Sequence, residues 1–138
     1  NGMSESSKKL AALVDEAQQQ NHLPRSRVVL GGFSQGSIVS IDVALRSEET
    51  PAGLCVFSGT LLCEQTWKSL ATRHQGMRVL QSHGRQDQLL PYPAAEWLKE
   101  TLEGGGIKVD FLPFDGPHTI PGEAMQRFEA LLRELIPS

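Results

Sequence analysis

Residues 32–36 read Gly32-Phe33-Ser34-Gln35-Gly36, between a short apolar run and a segment whose apolar residues recur at helical spacing. This G-x-S-x-G pattern is typical of a sharp turn from a strand into a helix that exposes one serine hydroxyl. Glycines beside the serine let the strand and the helix approach where a Cβ atom would collide. The pattern also occurs at ordinary strand-to-helix turns and at helix caps. Whether Ser34 is a nucleophile therefore depends on groups elsewhere in the chain.

Strands and helices are predicted to alternate along the chain. Short apolar runs bounded by glycine or proline predict strands at 27–30, 53–59, 77–82 and 107–111. Apolar residues at helical spacing predict helices at 4–20, 38–45, 64–74, 93–102 and 122–135. Unbroken apolar character favours strands that are buried on both faces of a mostly parallel sheet, with helices on both sides. The sequence therefore predicts an α/β fold in a single domain over residues 1–138.

Composition narrows the classes of function. The 138 residues are 39% hydrophobic and 21% charged, with a net charge of −3, as expected for one globular domain. Lysines and arginines are scattered among acids, so no nucleic-acid partner is expected. No apolar run approaches the ~18 residues of a membrane span and no secretory signal is evident, which predicts a cytoplasmic protein. Cys55 and Cys63 stand in apolar sequence without metal-site spacing, which favours buried free thiols.

Three residues suited to nucleophilic catalysis follow three of the predicted strands. Ser34 follows the first strand, Asp87 the third and His118 the fourth. The carboxyl ends of parallel strands share one edge of a sheet, where ligands bind in such folds. There His118 would take the proton of Ser34, and Asp87 would fix the imidazole tautomer. The N–H of Gln35, at a helix start, would supply one oxyanion donor. The order serine, aspartate, histidine is that of α/β-hydrolases.

Other residues compete for these roles. Asp110 and Asp115 are alternatives for the acid, but Asp110 alternates with apolar residues inside a strand and Asp115 is very close to His118 in sequence. His83 competes with His118. Its position directly after a strand and before a glycine favours a role in shaping the loop that carries Asp87.

The remaining polar candidates are expected to have structural roles. His22 is predicted in a solvated loop, and His74 is predicted to be exposed in the last turn of a helix. Asp42 is predicted to face solvent or to act as a capping partner. Three serines that lack the surrounding glycine pattern are predicted to pack or cap: Ser37, Ser40 and Ser58.

Three segments carry a resemblance to a known family: Leu30-Gly31-Gly32-Phe33-Ser34-Gln35-Gly36, Ser82-His83-Gly84 with Asp87 and Pro91, and Asp115-Gly116-Pro117-His118. In this order they closely resemble the acyl-protein thioesterase and carboxylesterase family, also called the phospholipase/carboxylesterase family. The resemblance extends from the first helix to the end of the chain. It implies an α/β-hydrolase that acts on carboxylic esters or thioesters without a cofactor or a metal ion. It also implies that Ser34, Asp87 and His118 form the triad.

The chain departs from the family pattern at two places. Ser37 stands where family members usually have another glycine, and a slight local repacking is expected. The family also begins with several strands and a His-Gly loop that gives the second oxyanion amide, and no such segment stands before the first helix here. The resemblance therefore covers the C-terminal part of a family member. We expect the N-terminal strands to be missing from this chain or to belong to a second chain, and a homodimer is a further expectation.

Apolar residues near the predicted catalytic edge bear on the substrate. Leu61, Leu62 and Leu90 would line an acyl-chain groove or would belong to the core. A groove of this kind predicts a preference for short to medium acyl chains, on a small molecule or on a protein. One rival function is a non-catalytic binding module that keeps the fold but lacks a complete oxyanion hole. The other is an α/β-hydrolase peptidase, which a charged anchoring cluster or an added domain would indicate; these 138 residues show neither pattern.

Overall fold

Four strands form one parallel sheet in the computed structural model, which describes residues 2–135 and side chains from residue 4 onward. The strands, which are adjacent in chain order, are β1 Val29–Phe33, β2 Gly53–Phe57, β3 Arg78–Gly84 and β4 Lys108–Phe114. The α-helices are α1 Gly2–Asn21, α2 Gln35–Arg46, α3 Glu64–Ala71, α4 Tyr92–Gly104 and α5 Gly122–Leu135. Short 3₁₀ helices lie at Arg25–Arg27 and Thr72–His74. The predicted α/β alternation and parallel sheet are confirmed.

Helices cover both faces of the sheet. On one face, α1 to α4 enclose a core that includes Ile41, Trp67 and Leu98. On the other face, α5 packs Ala124 and Leu131 against β2, β3 and β4. All residues of β2 are buried, which explains its unbroken apolar sequence. None of the helices within residues 2–135 is both long and apolar enough to cross a bilayer.

The observed strands begin and end at residues that differ from the predicted bounds. β1 begins at Val29, because residues Arg25–Arg27 form a 3₁₀ turn, and it continues through Phe33. β3 and β4 extend beyond their predicted ends because the ladder still pairs His83 with Pro113 and Gly84 with Phe114. Register aligns the last residues of β1 and β2, Phe33 and Phe57, with Ser82 of β3 and Leu112 of β4, each two residues before the end of its strand. The loops that follow therefore leave the sheet at one common edge.

The two lateral edges of the sheet differ in sequence. β4 carries Lys108, Asp110 and Pro113, residue types that discourage pairing with another strand. β1 pairs only with β2 within the described chain, and its sequence contains neither a charge nor a proline. Phe33 is partly exposed at that edge. Among the described strands, β1 is therefore the edge that is open to a further strand.

The expectation that Asp42 faces solvent is wrong. Asp42 is 2% exposed, and its carboxylate accepts hydrogen bonds from Ser7 Oγ at 2.8 Å, Trp67 Nε1 at 2.9 Å and Arg46 Nε at 2.9 Å. These donors belong to α1, α3 and α2, so Asp42 joins three helices. The sequence could not show this, because Ser7 and Trp67 are 35 and 25 residues away from Asp42.

Two other burial predictions need correction. His74 is 1% exposed, with Nε2 at 3.0 Å from the Leu45 carbonyl oxygen and Nδ1 at 2.8 Å from Thr50 Oγ1. Both ring nitrogens of His74 are therefore occupied inside the fold. Cys55 is a buried free thiol as predicted, whereas Cys63 is free but only partly buried.

Candidate active site

Ser34 lies at a strained turn between β1 and α2. Its φ of 57° and ψ of −121° are rare for a residue with a side chain. The turn is held at both ends, because Ser34 N–H donates to the Phe57 carbonyl at 2.8 Å and Ser37 N–H donates to the Ser34 carbonyl at 3.0 Å. This conformation is the one that the G-x-S-x-G pattern predicts.

Only one glycine of this pattern is required by a close approach. A Cβ atom on Gly32 would lie 2.5 Å from the carbonyl carbon of Gly36, which forces Gly32 to lack a side chain. A Cβ atom on Gly36 would meet nothing within 4 Å. The steric explanation therefore holds for Gly32 and is wrong for Gly36 in the described chain.

His118 contacts both Ser34 and Asp87. Its Nε2 lies 2.9 Å from Ser34 Oγ, and its Nδ1 lies 2.6 Å from Asp87 Oδ2. The Phe33 ring packs against the imidazole with the ring centroids 4.7 Å apart. The structure thus joins the three predicted residues in one chain of hydrogen bonds, across 84 residues between Ser34 and His118.

Asp87 is buried and held on both carboxylate oxygens. Oδ1 accepts hydrogen bonds from Leu89 N–H at 2.9 Å and Leu90 N–H at 2.8 Å, and Oδ2 faces His118. Burial alone would raise the pKa of Asp87, but the hydrogen bonds from Leu90 N–H, His118 and Leu89 N–H together lower it below its ordinary value. Asp87 is therefore a carboxylate at neutral pH.

The loops that carry Asp87 and His118 are joined beyond the ends of β3 and β4. Arg85 N–H donates to the Phe114 carbonyl at 2.8 Å, and Gln86 N–H donates to the Gly116 carbonyl at 3.0 Å. A side chain at Gly84 would overlap the Gly116 carbonyl oxygen. The glycine at position 84 therefore lets the two loops lie close enough for Asp87 and His118 to meet.

The alternative acids make other contacts. Asp110 Oδ1 accepts a hydrogen bond from Arg127 Nη1 at 2.8 Å, and Asp115 Oδ1 accepts one from Arg85 Nη1 at 2.9 Å. Both aspartates are exposed. They form surface ion pairs, whereas Asp87 is the aspartate that contacts His118.

His83 and His22 have other surroundings. His83 is buried at the end of β3, with Nε2 at 2.7 Å from the Leu90 carbonyl oxygen and 3.3 Å from Asp87 Oδ2. It therefore contacts the loop that carries Asp87, as its position in the sequence predicts. His22 is exposed in the turn after α1, also as predicted.

The three serines that were predicted to pack or cap lie within hydrogen-bonding distance of backbone carbonyls. Ser37 Oγ donates to the Ser34 carbonyl at 2.6 Å, and Ser40 Oγ donates to the Gly36 carbonyl at 2.8 Å. Ser58 Oγ is 3.3 Å from the carbonyl oxygen of Thr119, next to His118. Ser58 also has a positive φ of 57°. The contact of Ser58 with the loop that carries His118 was not predicted. The sequence offered one signal for a tight turn there, because a glycine directly follows Ser58, and glycines lie two residues away on either side of Ser34.

Gln35 is the first residue of α2 and follows Ser34 directly. Backbone N–H groups in the first turn of a helix have no carbonyl partner within that helix. The N–H of Gln35 is thus placed where a helix offers donors to a ligand. Among the side chains at residues 4–135, no group of three or more His, Cys, Asp and Glu could hold a metal ion.

The predicted acyl-groove residues are not all beside His118. Leu61 packs against the core on the α1–α4 side and lines a groove between α3 and α4, whereas Leu62 is exposed. Leu90 is half-buried; its N–H donates to Asp87 and its carbonyl oxygen lies within hydrogen-bonding distance of His83 Nε2. The leucine that lines a groove with His118 is Leu89, which is 71% exposed.

Comparison with known proteins identifies relatives of similar sequence. The phospholipase/carboxylesterase family model matches residues 1–136. Acyl-protein thioesterase 1 of Gibberella zeae is 30% identical over 115 residues, which are 80% of this chain and 49% of that protein. Acyl-protein thioesterase 1 of Eremothecium gossypii is 33% identical over 95 residues, which are 69% of this chain and 40% of that protein. The chain spans about half the length of these relatives, or less.

Solved structures share the fold. Esterase PE8 superposes with a TM-score of 0.88 and 26% identity, over 98% of this chain and 62% of the esterase. SOBER1 of Arabidopsis thaliana has a TM-score of 0.83 and 21% identity, over 97% of this chain and 64% of SOBER1. The chain therefore has the α/β-hydrolase fold and comprises part of it. With the family match over nearly all of its length, the chain belongs to the phospholipase/carboxylesterase family.

Proposed function

We propose that this chain carries the catalytic residues of a serine hydrolase that cleaves carboxylic esters or thioesters. The supporting observation is the chain of contacts from Ser34 Oγ to His118 Nε2 at 2.9 Å and from His118 Nδ1 to Asp87 Oδ2 at 2.6 Å. In a member of this family, the contacts favour Ser34 as nucleophile, His118 as general base and Asp87 as the group that fixes the imidazole tautomer. The proposed reaction uses no cofactor.

The proposed reaction passes through an acyl-enzyme. Ser34 Oγ adds to the substrate carbonyl carbon while its proton moves to His118 Nε2, and the π electrons move to the carbonyl oxygen. Collapse of this oxyanion re-forms the carbonyl and breaks the bond to the alkoxide or thiolate, which takes the proton from His118. Water then attacks the acyl group by the same route, so that a carboxylic acid leaves and Ser34 regains its proton. Asp87 stays ionised and stabilises the imidazolium in both halves.

The oxyanion would need donors from two segments. Gln35 N–H is proposed as one donor. For the other, we propose a segment outside residues 2–135, either in the same polypeptide or in a second chain, that adds a strand to β1. The support is that β1 is an open edge without charge or proline and leads directly into Ser34. Loss of one oxyanion donor costs about 10² to 10³ in kcat.

Turnover by the isolated chain tests this part of the proposal. The 15.1 kDa chain alone should hydrolyse aryl esters slowly compared with a full-length family member. Sedimentation would report whether it is a monomer, a homodimer or bound to another chain. A 15.1 kDa monomer with the full turnover of a longer family member would contradict the proposed second segment.

We further propose short to medium acyl chains as substrates. Leu89 and Pro117 give an apolar wall to a groove of about 570 Å³ next to His118, a size typical of small-molecule sites. Two relatives carry the name acyl-protein thioesterase 1, and this name supports thioesters, including those on proteins, as substrates of this chain. Rates on aryl esters of graded chain length should peak at short or medium chains. A flat profile, or hydrolysis of long chains alone, would contradict this preference.

Labelling by a fluorophosphonate probe tests the catalytic proposal directly. The chain should be labelled at Ser34, with no labelling in Ser34→Ala and a sharp fall in His118→Ala. The matched control is Ser40→Ala, which removes a serine hydroxyl bonded to a helix carbonyl in α2. An unlabelled but folded wild-type chain would instead support the second candidate, a non-catalytic binding module. The open edge of β1 is the observation that favours this alternative.

A cytoplasmic location is also proposed. Its support is that both Cys55 and Cys63 are free thiols, as expected in a reducing compartment. Cell fractionation with an antibody to the chain would test it, and recovery in an extracellular fraction would contradict it.

A further inference from the structure

His83 is a buried histidine that the proposed reaction does not use. Its side chain is 0% exposed, and Nε2 lies 2.7 Å from the Leu90 carbonyl oxygen and 3.3 Å from Asp87 Oδ2. Both neighbours are hydrogen-bond acceptors, which assigns the imidazole proton to Nε2. The shorter contact identifies the Leu90 carbonyl as the main acceptor of this proton.

Leu90 is held at both ends of its backbone. Its carbonyl accepts the hydrogen bond from His83, and its N–H donates to Asp87 Oδ1 at 2.8 Å. Leu89 N–H donates to the same oxygen at 2.9 Å. With Oδ1 bound by two amides, Oδ2 is left to face His118. The orientation of the Asp87 carboxylate therefore depends on where the Leu89–Leu90 backbone lies.

His83 is well placed to act as a fixed point for that backbone. It belongs to β3, where its ladder partner is Pro113, and its ring packs edge-on against Tyr92 of α4 with the centroids 6.1 Å apart. The loop that carries Asp87 is itself exposed at Gln86, Gln88 and Leu89. A side chain anchored in the sheet thus restrains a loop whose other side chains are largely exposed.

We propose that His83 is a positioning residue for the Ser34–His118–Asp87 group: by holding the Leu90 carbonyl, it orients the amides that aim Asp87 at His118. This inference rests on the proposed function for its effect on rate. Its effect on the Asp87–His118 hydrogen bond can be measured whether or not the chain hydrolyses esters.

The test compares two substitutions that differ only in the reach of a donor. In His83→Gln the amide NH2 reaches about as far as Nε2 and should retain the bond to Leu90. In His83→Asn the shorter amide should not reach Leu90. The control is Gln81→Leu, which removes a buried bond of similar length, from Gln81 Nε2 to the Ala95 carbonyl at 2.9 Å, two residues earlier on β3.

Two measurements are needed. The first is the proton resonance of His118 Nδ1–H, which lies downfield in a short hydrogen bond to a carboxylate. The second is the rate at which a fluorophosphonate labels Ser34. We expect His83→Asn to shift or broaden the resonance and to slow labelling by roughly 10²-fold, the effect of a misplaced catalytic group. We expect His83→Gln and Gln81→Leu to keep both.

The outcomes separate this inference from the proposed function. A folded His83→Asn variant with the wild-type resonance and rate would overturn the positioning role. Equal losses in Gln81→Leu would also overturn it, because they would show a general effect of weakening β3. If wild-type Ser34 is not labelled, the proposed function fails. The His118 Nδ1–H resonance then tests the positioning role of His83 without the labelling rate. If His83→Asn does not fold, His83→Leu replaces it as the variant without a donor to Leu90: a shifted or broadened resonance supports the inference, and the wild-type resonance overturns it.

Discussion

Replacing Asp87 by asparagine should reverse the hydrogen bond to His118. Leu89 N–H and Leu90 N–H both donate to Oδ1, at 2.9 and 2.8 Å. In Asp87→Asn the amide oxygen should stay at this position, because an NH2 group there would face two donors. The NH2 group would then occupy the site of Oδ2, which lies 2.6 Å from His118 Nδ1. A donor at this site forces Nδ1 to accept and moves the imidazole proton to Nε2, where His118 cannot take the proton of Ser34.

The expected loss in kcat is on the order of 10⁴, the magnitude found when the triad aspartate of a serine hydrolase becomes asparagine. At 1.36 kcal/mol per factor of ten, this is about 5.4 kcal/mol in the activation barrier. The assay is the rate of ester hydrolysis or of fluorophosphonate labelling, with folding checked by circular dichroism. Asp115→Asn is the control, because its exposed carboxylate pairs only with Arg85 among the contacts described here. A folded Asp87→Asn variant within tenfold of the wild-type rate would refute the tautomer argument.

Three further predictions concern stability. Gly32→Ala should destabilise the fold by about 1–3 kcal/mol through overpacking against Gly36. Gly36→Ala should not destabilise it in this way, because the added Cβ atom meets nothing within 4 Å. Equal denaturation midpoints for the two variants would contradict this. Asp42→Ala should cost about 1–3 kcal/mol for each buried donor left unpaired, such as Trp67 Nε1, as measured by urea unfolding; a loss below this range would mean that the helices repack. Because the folded-state pKa of Asp87 is below its ordinary value, ionised Asp87 stabilises the fold above the ordinary pKa, and this contribution is lost as the pH falls through the lowered value. The stability advantage of wild type over Asp87→Asn should therefore shrink on acidification, and an advantage that grows would disprove the linkage.

Local patterns were reliable where the physical cause is local. The strand runs and helical periodicity predicted every strand and α-helix of the described chain, with differences at their ends. The turn at Ser34 was also predictable, because Gly32 permits the close approach to α2. The bounds of β3 were less predictable, because its extension to Gly84 depends on pairing with β4 rather than on its own residues.

Burial of polar residues was the weakest part of the prediction. Asp42 and His74 look like surface residues in the sequence, yet both are inside the fold. Each is hydrogen-bonded to partners 24 to 35 residues away, which compensates the cost of burial. Apolar character alone also left open whether Leu61 and Leu62 belong to a groove or to the core; Leu61 packs against the core and Leu62 is exposed.

The order of the elements, the strained turn at Ser34 and the residue types that follow each strand could be inferred from the sequence, because these features depend on neighbours within a few positions. The three-dimensional arrangement was needed to show that Asp87 contacts His118, while Asp110 and Asp115 pair with arginines. The contacts of His118 span 31 and 84 residues, so they are set by the strand register and by the close packing of two loops at Gly84. The turn at Ser34 could thus be predicted from five residues, and the hydrogen-bonded group around it could not.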